Sequence, residues 1–498
     1  MSDSPYSLPP EDEMLSTVRL DGKRNWLSPR LIKGAWLTRR KVVAWALIVL
    51  FNVLPFIRVG THPAMQLDLV ARKAHLFGVS FQPTDTILLA LLLVSILLSV
   101  YLVTALLGRV WCGWICPQTV YMEFVVRPLE RLCYGRSGTG GRPKEVAAWR
   151  NVLLWAIYFV VFFWLSNVFL SYFVGMDTLL GYNGKPCWIR TSPFDNWGGF
   201  FTVALVTGAM LFDLGYWREQ MCTLACPYGR FQSALLDHFS PIVAYDSARG
   251  EPRGKPRKTK EGVSLPVIQK LGDCVDCHQC VDVCPTGIDI RRGLQMECLH
   301  CTACIDACDS VMAKFGRDPG LIRYATQAEL SGEKVKRIRP RVILYPLGLC
   351  VILTLFGTTL ARKTGVGLSV FSSGVRFFVR PDGQVENTLR MRLSNRTDAA
   401  RACDIRVEGP PGLSWSAEGI TTTAGGVGGA QGILLAPDED RQLTLRICVA
   451  PGVFYRPVMV KVVLDDHHKV PQTQTVQLAG PPVLIPAAAS PSANPKKP

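Results

Sequence analysis

Eight cysteines near the middle of this 498-residue chain fall into two strings, Cys274-x2-Cys277-x2-Cys280-x3-Cys284-Pro285 and Cys298-x2-Cys301-x2-Cys304-x3-Cys308. This is the spacing of a bacterial ferredoxin with two 4Fe-4S clusters, and it predicts one-electron chemistry. Three cysteines two residues apart wrap a loop around a cubane, and the fourth thiolate comes from the other string. On that rule Cys274, Cys277, Cys280 and Cys308 hold one cluster, and Cys298, Cys301, Cys304 and Cys284 hold the other. A pair of four-thiolate zinc sites is the competing account, but such sites use two CxxC knuckles on either side of a longer loop. Disulfides suit the pattern less well, because cysteines packed this tightly face the wrong way for the bond.

Four more cysteines form a repeat, Arg109-Val-Trp-Cys112-Gly-Trp-Ile-Cys116-Pro117 and Arg218-Glu-Gln-Met-Cys222-Thr-Leu-Ala-Cys226-Pro227. Residues at i and i+4 share a helix face. A proline directly after them predicts a break and the first turn of a new helix. Each motif ends an apolar hairpin, so the repeat reads as a duplicated two-span unit whose four thiols converge. Thiolates are soft ligands that select Cu(I), and Met221 adds a thioether. Cys112, Cys116, Cys222 and Cys226 are therefore candidate copper ligands and catalytic residues for reducing Cu(II). The plainer account is that they are small buried hydrophobes. Arg109 and Arg218 either favour the thiolates or anchor headgroups, and Trp111 and Trp114 read as interfacial belt residues.

The elements that must position these residues include membrane spans. A mean hydropathy of +0.20 beside 55 Lys and Arg suggests a membrane protein with polar domains. Apolar runs of bilayer length lie at 42–59, 85–107, 152–175, 199–216 and 342–360. The first begins too late for a cleaved signal peptide and reads as a retained anchor. Basic residues precede it (Arg30, Arg39, Arg40, Lys41), follow the second span (Arg127, Arg131, Arg136) and flank the cysteine strings. The positive-inside rule puts all of these in the cytoplasm. The expected order is a cytoplasmic segment 1–41, a cytoplasmic loop 108–151 with the first CxxxCP, and a cytoplasmic ferredoxin domain with the second CxxxCP at 217–341. The net charge of +16 then reflects topology and headgroups, and nucleic acid need not be invoked.

Residues 365–480 change character. Short alternating runs, among them Val375–Val379, Thr388–Leu393, Cys403–Val407, Leu443–Val449 and Val458–Leu464, predict a periplasmic immunoglobulin-like β-sandwich. Cys403 shares a face with Ile405 and Val407, whereas Cys448 lies opposite Leu443, Leu445 and Ile447, which argues against a disulfide. The tail 481–498, rich in Pro and Ala, reads as disordered. No histidine sits mid-span to clamp a heme; His278 and His300, inside the strings, are expected at the surface, and His467-His468 at a hairpin tip. CxxCH and nucleotide motifs are absent.

Taken together, Trp111–Pro117, Cys222–Pro227, Cys284–Ile290 with Gly293–Gln295, and Cys304–Asp309 leading to Gly320–Tyr324 resemble the FixG/RdxA/CcoG family of cytochrome oxidase accessory proteins. Asp309, where a generic ferredoxin has proline, looks typical of that family. The fold class expected is a multi-domain membrane protein with five transmembrane α-helices, a cytoplasmic ferredoxin domain and a C-terminal sandwich. The resemblance implies a bacterial inner-membrane cupric reductase. Its partners would be copper ions, copper-transport proteins and assembly proteins of a cbb3-type oxidase. Two other classes stay open: an electron-transfer subunit fed by a quinol or soluble donor, and a copper-binding scaffold with structural clusters.

Overall fold

The structure, a computed structural model, describes residues 26–60, 62–69, 72–83, 85–135, 146–176, 179, 196–254, 271–334, 338–363, 365–372, 377–397, 399–418, 430–437, 439–450, 458–467 and 471–480. The expectations for the first 25 residues, the basic run 255–260, Val375, His468 and the 481–498 tail lie outside the described residues. The chain divides into two compact units, Met1–Thr358 and Thr359–Pro498.

In the first unit the helices that matter are α1 (Ala35–Val53), α2 (Thr86–Leu107), α3 (Ala148–Val174), α4 (Trp197–Met210), α5 (Ala303–Lys314) and α6 (Pro340–Ala361). A backbone in hydrocarbon must satisfy its own N–H and C=O groups, so long apolar runs fold as helices. Four are long and apolar enough to cross a membrane: α2, α3, α4 with its π-helical continuation to Trp217, and α6. The remaining expected run, 42–59, behaves differently. It is helical only to Val53, where Leu54–Phe56 tightens around Pro55. Its helix begins seven residues earlier and takes in Arg39, Arg40 and Lys41.

The start of α1, the end of α2 and the start of α6 lie against the cysteine-rich segment. Asp306 bonds the first amides of α1, Gly108 after α2 abuts Pro241 and His300, and Arg339 before α6 pairs with Asp237. Gly108, at φ 66°, has no room for a side chain against the Pro241 carbonyl. At the other end, Gly175 after α3 meets Gln66 in the small antiparallel sheet Met65–Asp68, Lys73–Leu76, Val79–Phe81. The cysteine-rich segment packs on an antiparallel pair, Ile242–Tyr245 with Ile322–Ala325. Its core is Val243, Val275, Ile288, Ile290, Ile305, Val311 and Met312.

The second unit is a sandwich of β1 (Val366–Ser372), β2 (Phe378–Val379), β3 (Val385–Asn395), β4 (Arg401–Glu408), β5 (Ser414–Ala417), β6 (Ala430–Leu435), β7 (Asp440–Val449), β8 (Val458–Asp465) and β9 (Gln472–Leu478). One sheet runs β5-β7-β3-β1 with β2 on β3, the other β6-β4-β8-β9. Period-two alternation turns Leu389, Met391 and Leu393 of β3 and Leu443, Leu445 and Ile447 of β7 into the core, where they meet Cys403 and Ile405 of β4. Cys448 stands opposite Glu386 on the other face of β7, so the alternation that separated it from Cys403 holds in the sheet. Asn395, the first residue of a glycosylation-type sequon, is fully buried and donates to the Ala399, Leu435 and Ala436 carbonyls.

Candidate iron-sulfur and thiol site

Cys274, Cys277, Cys280 and Cys308 line one cavity with Tyr245 and Met312. Cys284, Cys298, Cys301 and Cys304 line a second with Val243 and Ile290, and Cys280 borders both. Apart from that shared thiol, each set takes three thiols from one string and the fourth from the other. In both strings the residues flanking the central cysteine are left-handed: Asp276 and His278 at φ 50° and 56°, His300 and Thr302 at 52° and 63°. That conformation costs a non-glycine residue about 1–2 kcal/mol. It recurs here because alternating hands of backbone turn successive N–H groups into a nest for an anion. A cubane with four thiolates is such an anion, and cavity, donors and nests fit one in each place.

Burial pushes the Cys280, Cys298 and Cys308 thiols up to about 12 and raises Cys301 and Cys304 as well. Apolar surroundings therefore hold the protons on these sulfurs until a metal displaces them, so cluster binding and completion of this segment are coupled.

The second cavity stands directly against the first CxxxCP motif. Cys112 packs in one buried group with Leu299 and Cys301, with Cys222 and Tyr228 at its margin. Gly113 is there because a Cβ would lie 2.5 Å from the Leu299 carbonyl and 2.8 Å from that of His300. Both motifs fold alike. Trp111–Ile115 and Met221–Ala225 are π-helical turns closed by Cys116 N–H to Trp111 O and Cys226 N–H to Met221 O, each 2.8 Å. Pro117 and Pro227 then start new helices, as the prolines predict. Cys112, Cys116 and Cys226 all bear electrostatically on Cys222, so the four thiols share one neighbourhood. The Cys112 thiol donates to Gln232 Oε1 at 3.0 Å. Met221 is half-buried at the start of its turn.

Three expectations need correction. Arg109 does draw Cys112 toward the thiolate, but burial outweighs it and the thiol's pKa is raised; Cys116 and Cys222 are raised by burial too. Arg218 turns away from the thiols to a bidentate pair with Glu130, at 2.6 and 2.9 Å. His300 is not at the surface: it is 1 % exposed, its Nδ1 accepts the Arg109 N–H, and burial lowers its pKa to about 3. His278 is exposed as expected. The basic residues read as headgroup anchors also divide, since Arg40, Arg109, Arg127 and Arg218 are buried inside the protein.

Sequence reasoning passed over the latch between α1 and α5. The Asp306 carboxylate, between Cys304 and Cys308, accepts from the Trp36 N–H at 3.2 Å and the Leu37 N–H at 2.7 Å. These are orphan donors at the positive end of a helix. Gly34 precedes them because Asp306 occupies the place of its Cβ. Trp36 stacks edge-on against Trp114 and against Tyr324, and Arg40 Nε donates to the Gly113 carbonyl. Asp306→Ala is expected to lose about 1–2 kcal/mol of local stability. Hydrogen exchange at the Trp36 and Leu37 amides checks this: protection should fall by roughly tenfold, and unchanged protection would remove Asp306 from the latch.

Comparison with known proteins agrees with this geometry. Residues 217–327 match a 4Fe-4S dicluster domain, 87–133 a 4Fe-4S binding domain, and 356–481 the immunoglobulin-like fold at the C-terminus of FixG. The chain is 33 % identical to Protein RdxA of Cereibacter sphaeroides, covering 80 % of this chain and 85 % of that protein. It is 30 % identical to the nitrogen fixation protein FixG of Rhizobium meliloti, covering 89 % and 90 %. A crystal structure of a FixG-related protein from Vibrio parahaemolyticus, 19 % identical, aligns over 24 % of this chain and 98 % of that one with a TM-score of 0.20.

Proposed function

This chain belongs to the FixG/RdxA family of iron-sulfur proteins, and we propose that within it the chain passes single electrons to Cu(II) at the CxxxCP thiols, delivering Cu(I). The observation that carries the proposal is the packing of Cys112 on Cys301, a wall of the second cysteine cavity. The clusters, when bound, supply one electron at a time. The two cysteine sets hold them, and Leu299 and Cys301 press the second against the membrane thiols. Gln232 keeps the Cys112 proton in place until copper displaces it. Thiolates favour Cu(I) over Cu(II), so one electron leaves the protein for each copper ion reduced.

The same reading completes the topology. α1 joins the four apolar helices as a fifth span, its apolar part from Val42 continuing through the turn at Leu54–Phe56. Its outer face, including Val42, Trp45, Val49, Leu50 and Val53, is apolar and exposed. Of the three charges in its first turns, Arg40 faces protein and Arg39 and Lys41 are exposed at the end that meets the cysteine-rich segment. Basic segments put the cysteine-rich side in the cytoplasm of a bacterial inner membrane and the sandwich in the periplasm. Copper-transport proteins and assembly proteins of a cbb3-type oxidase are the partners that fit such a product.

The test is anaerobic. Fully reduced protein in detergent receives Cu(II), and cluster bleaching is followed together with Cu(I) capture by a chelating dye. The parent should reduce one copper per cluster oxidised, and Cys222→Ser/Cys226→Ser should lose that reduction at least tenfold with its iron intact. Equal reduction in the variant sinks the copper site. It would favour an electron-transfer subunit, which the lack of a closely gathered ion site among the described residues also suits.

A further inference from the structure

The two cysteine cavities have unequal surroundings. The first opens to solvent at Cys277 and His278. The arginine that bears on it, Arg291, is spent on Asp276 at 2.5 Å and Asp289 at 2.7 Å, and Asp309 bears on Cys308. At the second no cysteine is exposed: Cys298 and Cys301 are buried, Cys284 and Cys304 half-buried. Arg40 and Arg127 bear on Cys301, and Arg109 bears on Cys298. Arg109 donates to the carbonyls of Met296 and Gly229 and bonds the Cys112 thiol, with no carboxylate among these partners. Arg127 is partly neutralised by Glu123 and Glu219, and the Asp306 carboxylate near Arg40 is engaged by the amides of α1. Even so, Arg40 Nη2, Arg109 Nε, Arg127 Nε and His300 Nε2 are buried with no hydrogen-bond partner.

Buried guanidinium groups are costly unless a counter-charge meets them. A cubane with four thiolates is an anion, and reduction adds one more negative charge to it. A cation fixed beside it in a dry setting therefore stabilises the reduced form and raises its potential. Carboxylates at the first cavity do the opposite, whereas solvent there also favours the added charge, so the cations at the second must outweigh its drier surroundings.

We propose that Arg40, on the N-terminal helix, sets the second cluster as the acceptor of the pair, holding its potential above that of the first. An electron entering at the exposed first cluster would reduce it, and passage inward would reoxidise the first cluster and reduce the second, beside Cys112. The inference rests on the assignment of the two cysteine sets to clusters and concerns their order, which neither the spacing nor the family supplies. Arg40 is a positioning residue for charge and touches no substrate.

The experiment is an anaerobic redox titration of the full-length holoprotein in detergent, followed by electron paramagnetic resonance, with iron counted in every sample. The parent should show two waves. Arg40→Met should lower the upper wave by at least tenfold in its reduction equilibrium, ~59 mV for one electron, and leave the lower wave in place. Arg40→Lys, which keeps the charge, should restore most of the difference. Equal shifts in both variants would make the effect one of packing and overturn the proposal, as would a shift confined to the lower wave or none. Where Arg40→Met fails to assemble, Cys284→Ala decides: it should abolish the upper wave, and loss of the lower one overturns the order. Full iron in Cys284→Ala would instead reject the cysteine assignment itself.

Discussion

Cys284→Ala is expected to carry about half the iron of the parent and to lose the cluster nearest the membrane, although Cys284 belongs to the first cysteine string. Its sulfur lines the second cavity with Cys298, Cys301 and Cys304, and Thr286 Oγ1 lies 3.4 Å from it. A methyl group there offers a cubane no fourth thiolate; beyond apolar side chains such as Val243, Ile288 and Ile290 the wall has the hydroxyls of Thr286 and Thr302 and the thiol of Cys280, which also lines the first cavity. The first set keeps all four of its thiols. Copper reduction should fall by more than about tenfold, because the remaining cluster is the one away from Cys112. Cys308→Ala is the counterpart and should remove the first cluster. Iron analysis and low-temperature spectra of the two variants check the pairing. The two should retain spectroscopically different clusters, and identical spectra would mean that the strings do not exchange their fourth ligands.

The second large effect is expected from a residue with no chemistry of its own. Gly113→Val should keep both clusters and all four membrane thiols, yet reduce Cu(II) several-fold more slowly. The added carbons would meet backbone: the Leu299 carbonyl at 2.5 Å, the His300 carbonyl at 2.8 Å and the His300 carbonyl carbon at 3.0 Å. None of these is the end of a flexible side chain, so the loop carrying Cys298 and Cys301 must move off the π-helical turn carrying Cys112. Electron transfer weakens with each added increment of separation, so the step slows although every ligand remains. Gly208 in α4, where a Cβ would meet nothing within 4 Å, is the control, and Gly208→Ala should react like the parent. Iron content, single-turnover cluster bleaching by Cu(II) and steady-state Cu(I) yield separate the outcomes. An unchanged bleaching rate in Gly113→Val would show that the contact is not on the electron's route.

These expectations draw on two kinds of information. The sequence by itself marked out the two groups of four cysteines that the structure brings together, because a loop that wraps a cubane is a local object and its spacing survives in the order of residues. For the same reason the prolines announced the breaks after Cys116 and Cys226, and long apolar runs announced α2, α3, α4 and α6. Alternation in the C-terminal unit was legible down to the opposite faces of Cys403 and Cys448, since period two leaves a trace on every strand. Only the tertiary structure decided which charges stay exposed and which face the protein. Arg40 and Lys41 are neighbours in a basic run, yet Arg40 is 2 % exposed and bonded to Gly113 while Lys41 is in solvent. Asp306 reaches α1 from 270 residues away, and His300 is sealed by Arg109 across a gap of 191. Contacts of that separation arise from packing between elements and leave no period in the chain, so a buried arginine beside a cluster and an arginine at a membrane surface read alike until the helices are brought together.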